Sequence, residues 1–176
     1  MSQERKNAIT LKGTSLTLLG KELKSGDRAP DAVVVGNDLS ERKLSEYGGR
    51  IRLLASVPSL DTPVCSTETR RFNEEATKLG DQVVVLTISM DLPFAQQRWC
   101  GAEGIDKVVT LSDYRRQEFG RNYGVWIKEL SLLARAVFVV DAQDVIRYVE
   151  IVNETATEPN YEAALEAIKK LTSNGI

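Results

Sequence analysis

Histidine is absent from all 176 residues of this chain. That absence removes the base of a cysteine protease, the base of a serine triad and the commonest ligand of metal sites. Cysteine is almost as scarce, with only Cys65 and Cys100. Their spacing fits neither a zinc site nor Cys-x-x-Cys. In a reducing compartment two cysteines are no permanent staple, which leaves a transient disulfide open. Long apolar runs are missing too, since no stretch approaches the roughly 18 residues of a membrane helix. The opening segment, Met1 to Lys12, lacks a continuous apolar run and a small-residue cleavage site, so a cytoplasmic protein away from membranes is expected. Nor does one sign of charge dominate, because 23 basic and 25 acidic residues are dispersed to a net −2. There is no electrostatic case for nucleic acid or an acidic membrane surface, and small molecules or proteins are left as partners.

What is present suits one globular domain over residues 1–176, with 42% hydrophobic and 27% charged residues and a core that needs no metal or other cofactor. Ile9 and Leu11 before Gly13, and Leu16 and Leu18 after it, alternate with polar residues and predict an N-terminal β-hairpin. Short strands follow a polar loop at 24–30. From Arg50 onward strand and helix alternate, the signature of an α/β layer structure with parallel crossovers. Strands are expected at 51–57, 83–89, 108–111, 135–140 and 145–152, the last two flanking a hairpin turn at 141–144. Helices are expected at 62–79, from Pro93 to the glycines at 101–104, at 114–123, and at the end of the chain, where Tyr161, Ala164, Leu165, Ile168 and Leu171 share a face.

Cys65 stands out because Thr62-Pro63 is a helix start signal directly after an apolar strand. A thiolate, not a thiol, attacks electrophiles, and unpaired N–H groups of a first helical turn stabilise it. Placement alone leaves two readings open, a nucleophile or a small buried hydrophobe. Without histidine, whatever activates the sulfur is a helix terminus, a lysine or an arginine.

The pattern Pro-x-x-x-Thr-x-x-Cys, filled by Pro58, Thr62 and Cys65, resembles the active-site signature of the peroxiredoxins. Three further runs, from Ser56 through Asn73, from Pro93 to Cys100 and from Leu133 to Asp141, look like the family's bacterial thiol peroxidase branch. The resemblance covers almost the whole chain and implies a thioredoxin-like fold with an N-terminal extension. It also implies that Cys65 reduces a hydroperoxide and that Cys100 resolves the resulting sulfenic acid as an intramolecular disulfide. Thioredoxin is implied as the reductant, and a homodimer as the assembly.

Each site residue also has a plainer reading. Thr62 serves as a helix cap, while the resemblance adds a hydroxyl bonded to the sulfur or to a peroxide oxygen. Arg135 reads as a solvated strand end, or as the fixed cation that a histidine-free thiolate needs. Pro58 ends a strand ladder, and the family pattern makes its ring a shield over the cysteine pocket. Cys100 beside Trp99 reads alone as an inert small hydrophobe, and the resemblance leads one to expect Phe rather than Trp at position 99. Asp61 and Glu68 would oppose a thiolate if they lay near the sulfur. A noncatalytic redox sensor and a thiol-disulfide oxidoreductase are the alternative functions, the second disfavoured by the lack of Cys-x-x-Cys.

Overall fold

The computed structural model describes residues 2–173. The expected hairpin is formed by β1 (Glu4–Leu11) and β2 (Thr14–Leu19), antiparallel about a turn where Gly13 has φ +80°, a conformation a Cβ would strain. Two short strands follow, β3 (Val33–Val35) and β4 (Glu41–Lys43), then a 3-10 turn at Leu44–Tyr47. The alternating section is β5 (Ile51–Ser56), α1 (Pro63–Leu79), β6 (Val83–Ser89), α2 (Pro93–Glu103) and β7 (Val108–Ser112). Its three strands pair in parallel, with one helix carrying each crossover. After α3 (Glu118–Asn122) come β8 (Trp126–Ile127), β9 (Leu132–Leu133), β10 (Ala136–Val140), β11 (Ile146–Ile151) and α4 (Tyr161–Ser173).

A seven-stranded sheet in the order β11-β10-β5-β6-β7-β3-β4 forms the centre, and a separately hydrogen-bonded four-stranded sheet β1-β2-β8-β9 packs against one of its faces. Side chains alternate across the central sheet because the strand period is two. Leu53, Ala55, Val137 and Val139 pack with Phe72 of α1 and Ala164 and Ile168 of α4. Their neighbours Leu54, Phe138 and Val140 pack on the opposite face with Phe119, Tyr123 and the hairpin residues Leu16 and Leu18. Both faces are therefore covered, and the α/β expectation with a hairpin extension is met. Phe72 joins α1 to α4 through an edge-to-face contact with Tyr161, ring centroids 5.4 Å apart.

Two elements differ from expectation. The helix predicted at 114–123 shrinks to α3, because Gln117 adopts a left-handed φ of +57° and interrupts it. The buried Asp113 carboxylate then accepts the N–H groups of Phe119 and Gly120 at 3.1 and 2.9 Å, serving as the cap of this short helix. On α2 the inward residues are Pro93 and the polar Gln96, whereas Ala95 and Trp99 are only half-buried. The two-residue strands β8 and β9 were too short to leave a periodic signal; they extend the hairpin into the four-stranded sheet.

Burial pushes the Asp113 carboxyl up to about 6 from an ordinary 3.8, although both N–H donors pull it down. A carboxyl raised in the folded state contributes stability that is complete below its unfolded value and is lost as pH rises through the folded one. Asp113→Asn is thus expected to flatten stability between about pH 4 and about pH 7 by on the order of 2–3 kcal/mol relative to the parent. Urea unfolding at a series of pH values checks this, and parallel pH profiles for the two proteins would refute it.

Candidate active site

The site begins where the central strand stops. Pro58, buried just beyond β5, has no N–H to extend the ladder, and the chain turns through Ser59 to Asp61 into α1. Thr62 is the N-cap, with extended backbone (φ −91°, ψ 146°) and Pro63 at the first helical position. Its Oγ accepts the Cys65 N–H at 3.3 Å, and its hydroxyl donates to the Ser59 carbonyl at 3.2 Å. The capping role is realised, and it leaves the hydroxyl one turn ahead of the sulfur. Cys65 sits in the first turn, fully buried against Val57, Leu60 and Trp99.

Arg135 immediately precedes β10 and is only 2% exposed, so the solvated strand end does not describe it. Its guanidinium reaches three partners. One terminal nitrogen donates to Cys65 Sγ at 3.2 Å, the other to Glu68 Oε2 at 2.5 Å, and Nε to the Thr155 carbonyl at 3.1 Å. Ser56 Oγ, bonded to the Ala134 carbonyl at 2.7 Å, ties the end of β5 to the residue before Arg135. The planar, always charged fork is thereby held in one orientation.

Glu68 follows Cys65 by three positions, on the same side of α1, and is wholly buried. Burial raises its carboxyl to about 7 against the downward pull of Arg135, and its Oε1 has no hydrogen-bond partner among the described residues. Burial also opposes the charge on Arg135, but Glu68 and Cys65 outweigh it and hold the guanidinium above its ordinary value. Asp61, the other acid weighed against the thiolate, is exposed. Glu68 spends its charge on the cation instead of facing the sulfur unscreened.

Cys100 lies apart from this group, in the last turn of α2, half-buried and 3.6 Å from Thr110 Oγ1. Burial pushes its thiol up, with Thr110 pulling the other way. Both cysteines are free thiols. Trp99 packs against the cluster that contains Cys65 and, together with Cys100, against the larger cluster around Phe72 and Val108, so it lies between the two segments. Gly104, at a left-handed φ of +66°, ends the helix with a bond to the Cys100 carbonyl.

Thr62, Cys65 and Arg135 are thus brought together, Pro58 is buried on the adjoining loop, and Cys100 is held elsewhere. The Thr155 carbonyl and the Asp91 carboxylate, which accepts from Ser59 and Leu60, were not visible in the sequence. A main-chain oxygen carries no residue signature, and Asp91 lies far along the chain from the loop it holds. A sulfur at a helix start beside a fixed cation is the arrangement of a thiolate nucleophile that needs no histidine.

Comparison with known proteins agrees. The Redoxin family model matches residues 24–165. Thiol peroxidases of Oceanobacillus iheyensis and Bacillus subtilis are 57% and 56% identical over 162 and 163 residues, spanning 92% and 93% of this chain and 98% and 97% of theirs. The crystal structure of a peroxiredoxin-like protein from Aquifex aeolicus superposes with a TM-score of 0.87 at 44% identity, covering 94% of this chain and 97% of that one. A thiol peroxidase from Chromobacterium violaceum shares the fold, with a TM-score of 0.84 at 20% identity over 95% and 98% of the two chains. With a matching family model over most of its length and relatives this similar, the chain belongs to the Redoxin family and, within it, to the thiol peroxidases.

Proposed function

We propose that Cys65 is the peroxidatic nucleophile of this thiol-dependent peroxidase and Cys100 its resolving partner, with residues 1–176 acting as one thioredoxin-like domain. The contact between Arg135 and the Cys65 sulfur, with Thr62 one turn ahead of that sulfur, carries the reading. In the first step the Cys65 thiolate attacks one peroxide oxygen in line. The O–O bond breaks, and the departing oxygen takes a proton and leaves as water or an alcohol. Arg135, the Thr62 hydroxyl and the first-turn N–H groups hold the peroxide and stabilise the charge growing on the leaving oxygen. Buried Pro58 keeps bulk water from the pocket.

Cys65 is left as a sulfenic acid. Cys100 attacks its sulfur, hydroxide leaves as water with the Cys100 proton, and the disulfide blocks further oxidation. A disulfide needs Cα atoms within about 7 Å, and because the two thiols are free and sit in separate surroundings, we infer that the two helix ends unwind locally to meet. A dithiol protein of the thioredoxin class then reduces the bond, becoming oxidised itself. The substrates are hydrogen peroxide and organic hydroperoxides, and the assembly is a cytoplasmic homodimer. Among the described residues no helix is long and apolar enough to cross a membrane.

The test is peroxide-dependent NADPH consumption coupled through thioredoxin and its reductase. Cys100→Ser is expected to lose about 10²-fold or more of this coupled turnover while still reacting once with peroxide, because no disulfide is offered to the reductant. Equal coupled turnover in the variant would exclude Cys100 as the resolving residue. A parent protein that consumes a single equivalent and stops would instead be a sensor.

A further inference from the structure

Between the two cysteine segments lies a polar node that the peroxide chemistry does not use. Its centre is Asp91, in the turn that joins β6 to α2. One carboxylate oxygen accepts the Ser59 hydroxyl at 2.7 Å. The other accepts the Leu60 N–H at 2.8 Å and the Ser89 hydroxyl at 2.7 Å. The Asp91 carbonyl accepts the Ser112 hydroxyl at 2.6 Å. Ser89 Oγ in turn accepts from Gln96 of α2 at 3.0 Å, and the same Gln96 amide donates to the Leu111 carbonyl at 2.9 Å.

Each end of this node leads to a cysteine. Ser59 carries the carbonyl that receives the Thr62 hydroxyl, and Thr62 receives the Cys65 N–H. Leu60 shares a buried cluster with Cys65 and Val57, and Trp99 packs against it. On the other side, Gln96 lies one turn before Cys100 on α2. The first half of α2 meets the sheet through polar contacts, Gln96 with Ser89 and the Leu111 carbonyl, while Trp99 and Cys100 in its second half pack on apolar side chains. Gln96 Oε1 is buried there without a partner among the described residues, as is Thr87 Oγ1 on β6. Unpaired buried polar atoms weaken such a contact, so the seat of α2 depends on the hydrogen bonds that are made.

We propose that Asp91 is a positioning residue that latches the Cys65 loop to the base of the Cys100 helix, and that its release is a step of each catalytic cycle. The inference rests on the two-cysteine cycle above. While the latch is closed, Ser59 and Leu60 are fixed, the Thr62 hydroxyl is held on the Ser59 carbonyl, and Trp99 packs against the cluster that contains Cys65. That is the state that reacts with peroxide. Disulfide formation requires the loop and α2 to leave these positions, which breaks the bonds that Asp91 makes to Ser59 and Leu60. Closing bonds that favour the first step therefore oppose the second.

A residue with this role has a kinetic signature that a merely structural one lacks. Asp91→Asn keeps the shape but offers one accepting oxygen to three donors, and Ser59→Ala removes the hydroxyl that donates to Asp91 and accepts the Asp61 N–H at 3.2 Å. Stopped-flow Trp fluorescence, with Trp99 beside both cysteine clusters, separates a phase proportional to peroxide concentration from a concentration-independent phase of disulfide formation. In Asp91→Asn the first is expected to slow about tenfold and the second to accelerate about three- to tenfold, as for loss of one hydrogen bond to a charged group. Ser59→Ala is expected to show the same split with smaller amplitude, and both variants to resist overoxidation of Cys65 by excess peroxide.

If both phases slow together, or neither moves, Asp91 is scaffold and the latch is refuted. Should Asp91→Asn not fold, Ser59→Ala decides alone, by the presence or absence of the opposed shifts. A parent protein with no concentration-independent phase and no loss of both thiols would overturn the two-cysteine cycle itself and the latch with it. A normal parent cycle with unsplit variants overturns only the latch.

Discussion

Cys65→Ser is expected to abolish peroxide turnover, with a loss on the order of 10⁴-fold or more, in line with removal of a nucleophile from other covalent catalysts. Serine fills the same space in the pocket of Val57, Leu60 and Trp99, and it can still accept from Arg135. What it lacks is an ionised, polarisable atom that accepts an oxygen from a peroxide. The measurement is peroxide consumption with a small dithiol as reductant, which makes the result independent of any protein partner. Melting of the variant at the parent temperature would show that folding is not the cause. Residual turnover within about tenfold of the parent would mean that another group receives the oxygen, and the assignment of Cys65 would fall.

Arg135→Ala has two expected effects that a second substitution separates. Activity should fall about 10²- to 10³-fold, the usual result of removing a fixed donor from the site of developing negative charge. Stability should fall by about 1–2 kcal/mol near pH 8, because Glu68, wholly buried, loses the guanidinium it is bonded to and takes up a proton in its place. Adding Glu68→Gln removes the titrating carboxyl and is expected to restore much of the stability while activity stays low. The pH dependence has a definite sign. Burial already raises Glu68 from an ordinary 4.5 to about 7, and loss of the guanidinium raises it further. A raised carboxyl favours the folded state below its unfolded value, and that contribution is lost as pH rises through the folded one. The single variant should therefore unfold at nearly the parental urea concentration near pH 5 and at a lower one near pH 8, a deficit of about 1.4 kcal/mol. A deficit equal at both pH values would place its origin in lost packing, and recovery of activity in the double variant would remove Arg135 from the chemistry.

Much of this site was legible because its signals are local. Thr62-Pro63 before an apolar helix face specifies a capped start, and a capped start three residues ahead of Cys65 puts the sulfur where unpaired N–H groups point. The absence of histidine then narrowed the activating group to a cation or a helix end. The hairpin about Gly13, the strand-helix alternation after Arg50 and the turn at 141–144 were readable for the same reason, since each is a pattern within about a dozen residues.

The failures share the opposite property. The short α3 is set by Gln117 turning left-handed and by Asp113 capping two amides that stand six and seven residues later. The polar seat of α2 is set by residues of β6 and β7, so its sequence period carried no warning that Gln96 would face inward.

By itself, then, the sequence determined an α/β chain with a hairpin in front, a helix start that delivers Cys65, a second thiol near a helix end, and chemistry without histidine. These depend on neighbours in the chain, whose geometry is limited by local sterics and hydrogen bonding. Tertiary structure alone decided that Arg135 abandons solvent to bridge Cys65, Glu68 and the Thr155 carbonyl, and that Asp91 joins Ser59 and Leu60 to the base of α2. The physical reason is burial. A charge taken from water must find compensating partners wherever the fold brings them, and those partners come from distant parts of the chain that no local pattern connects.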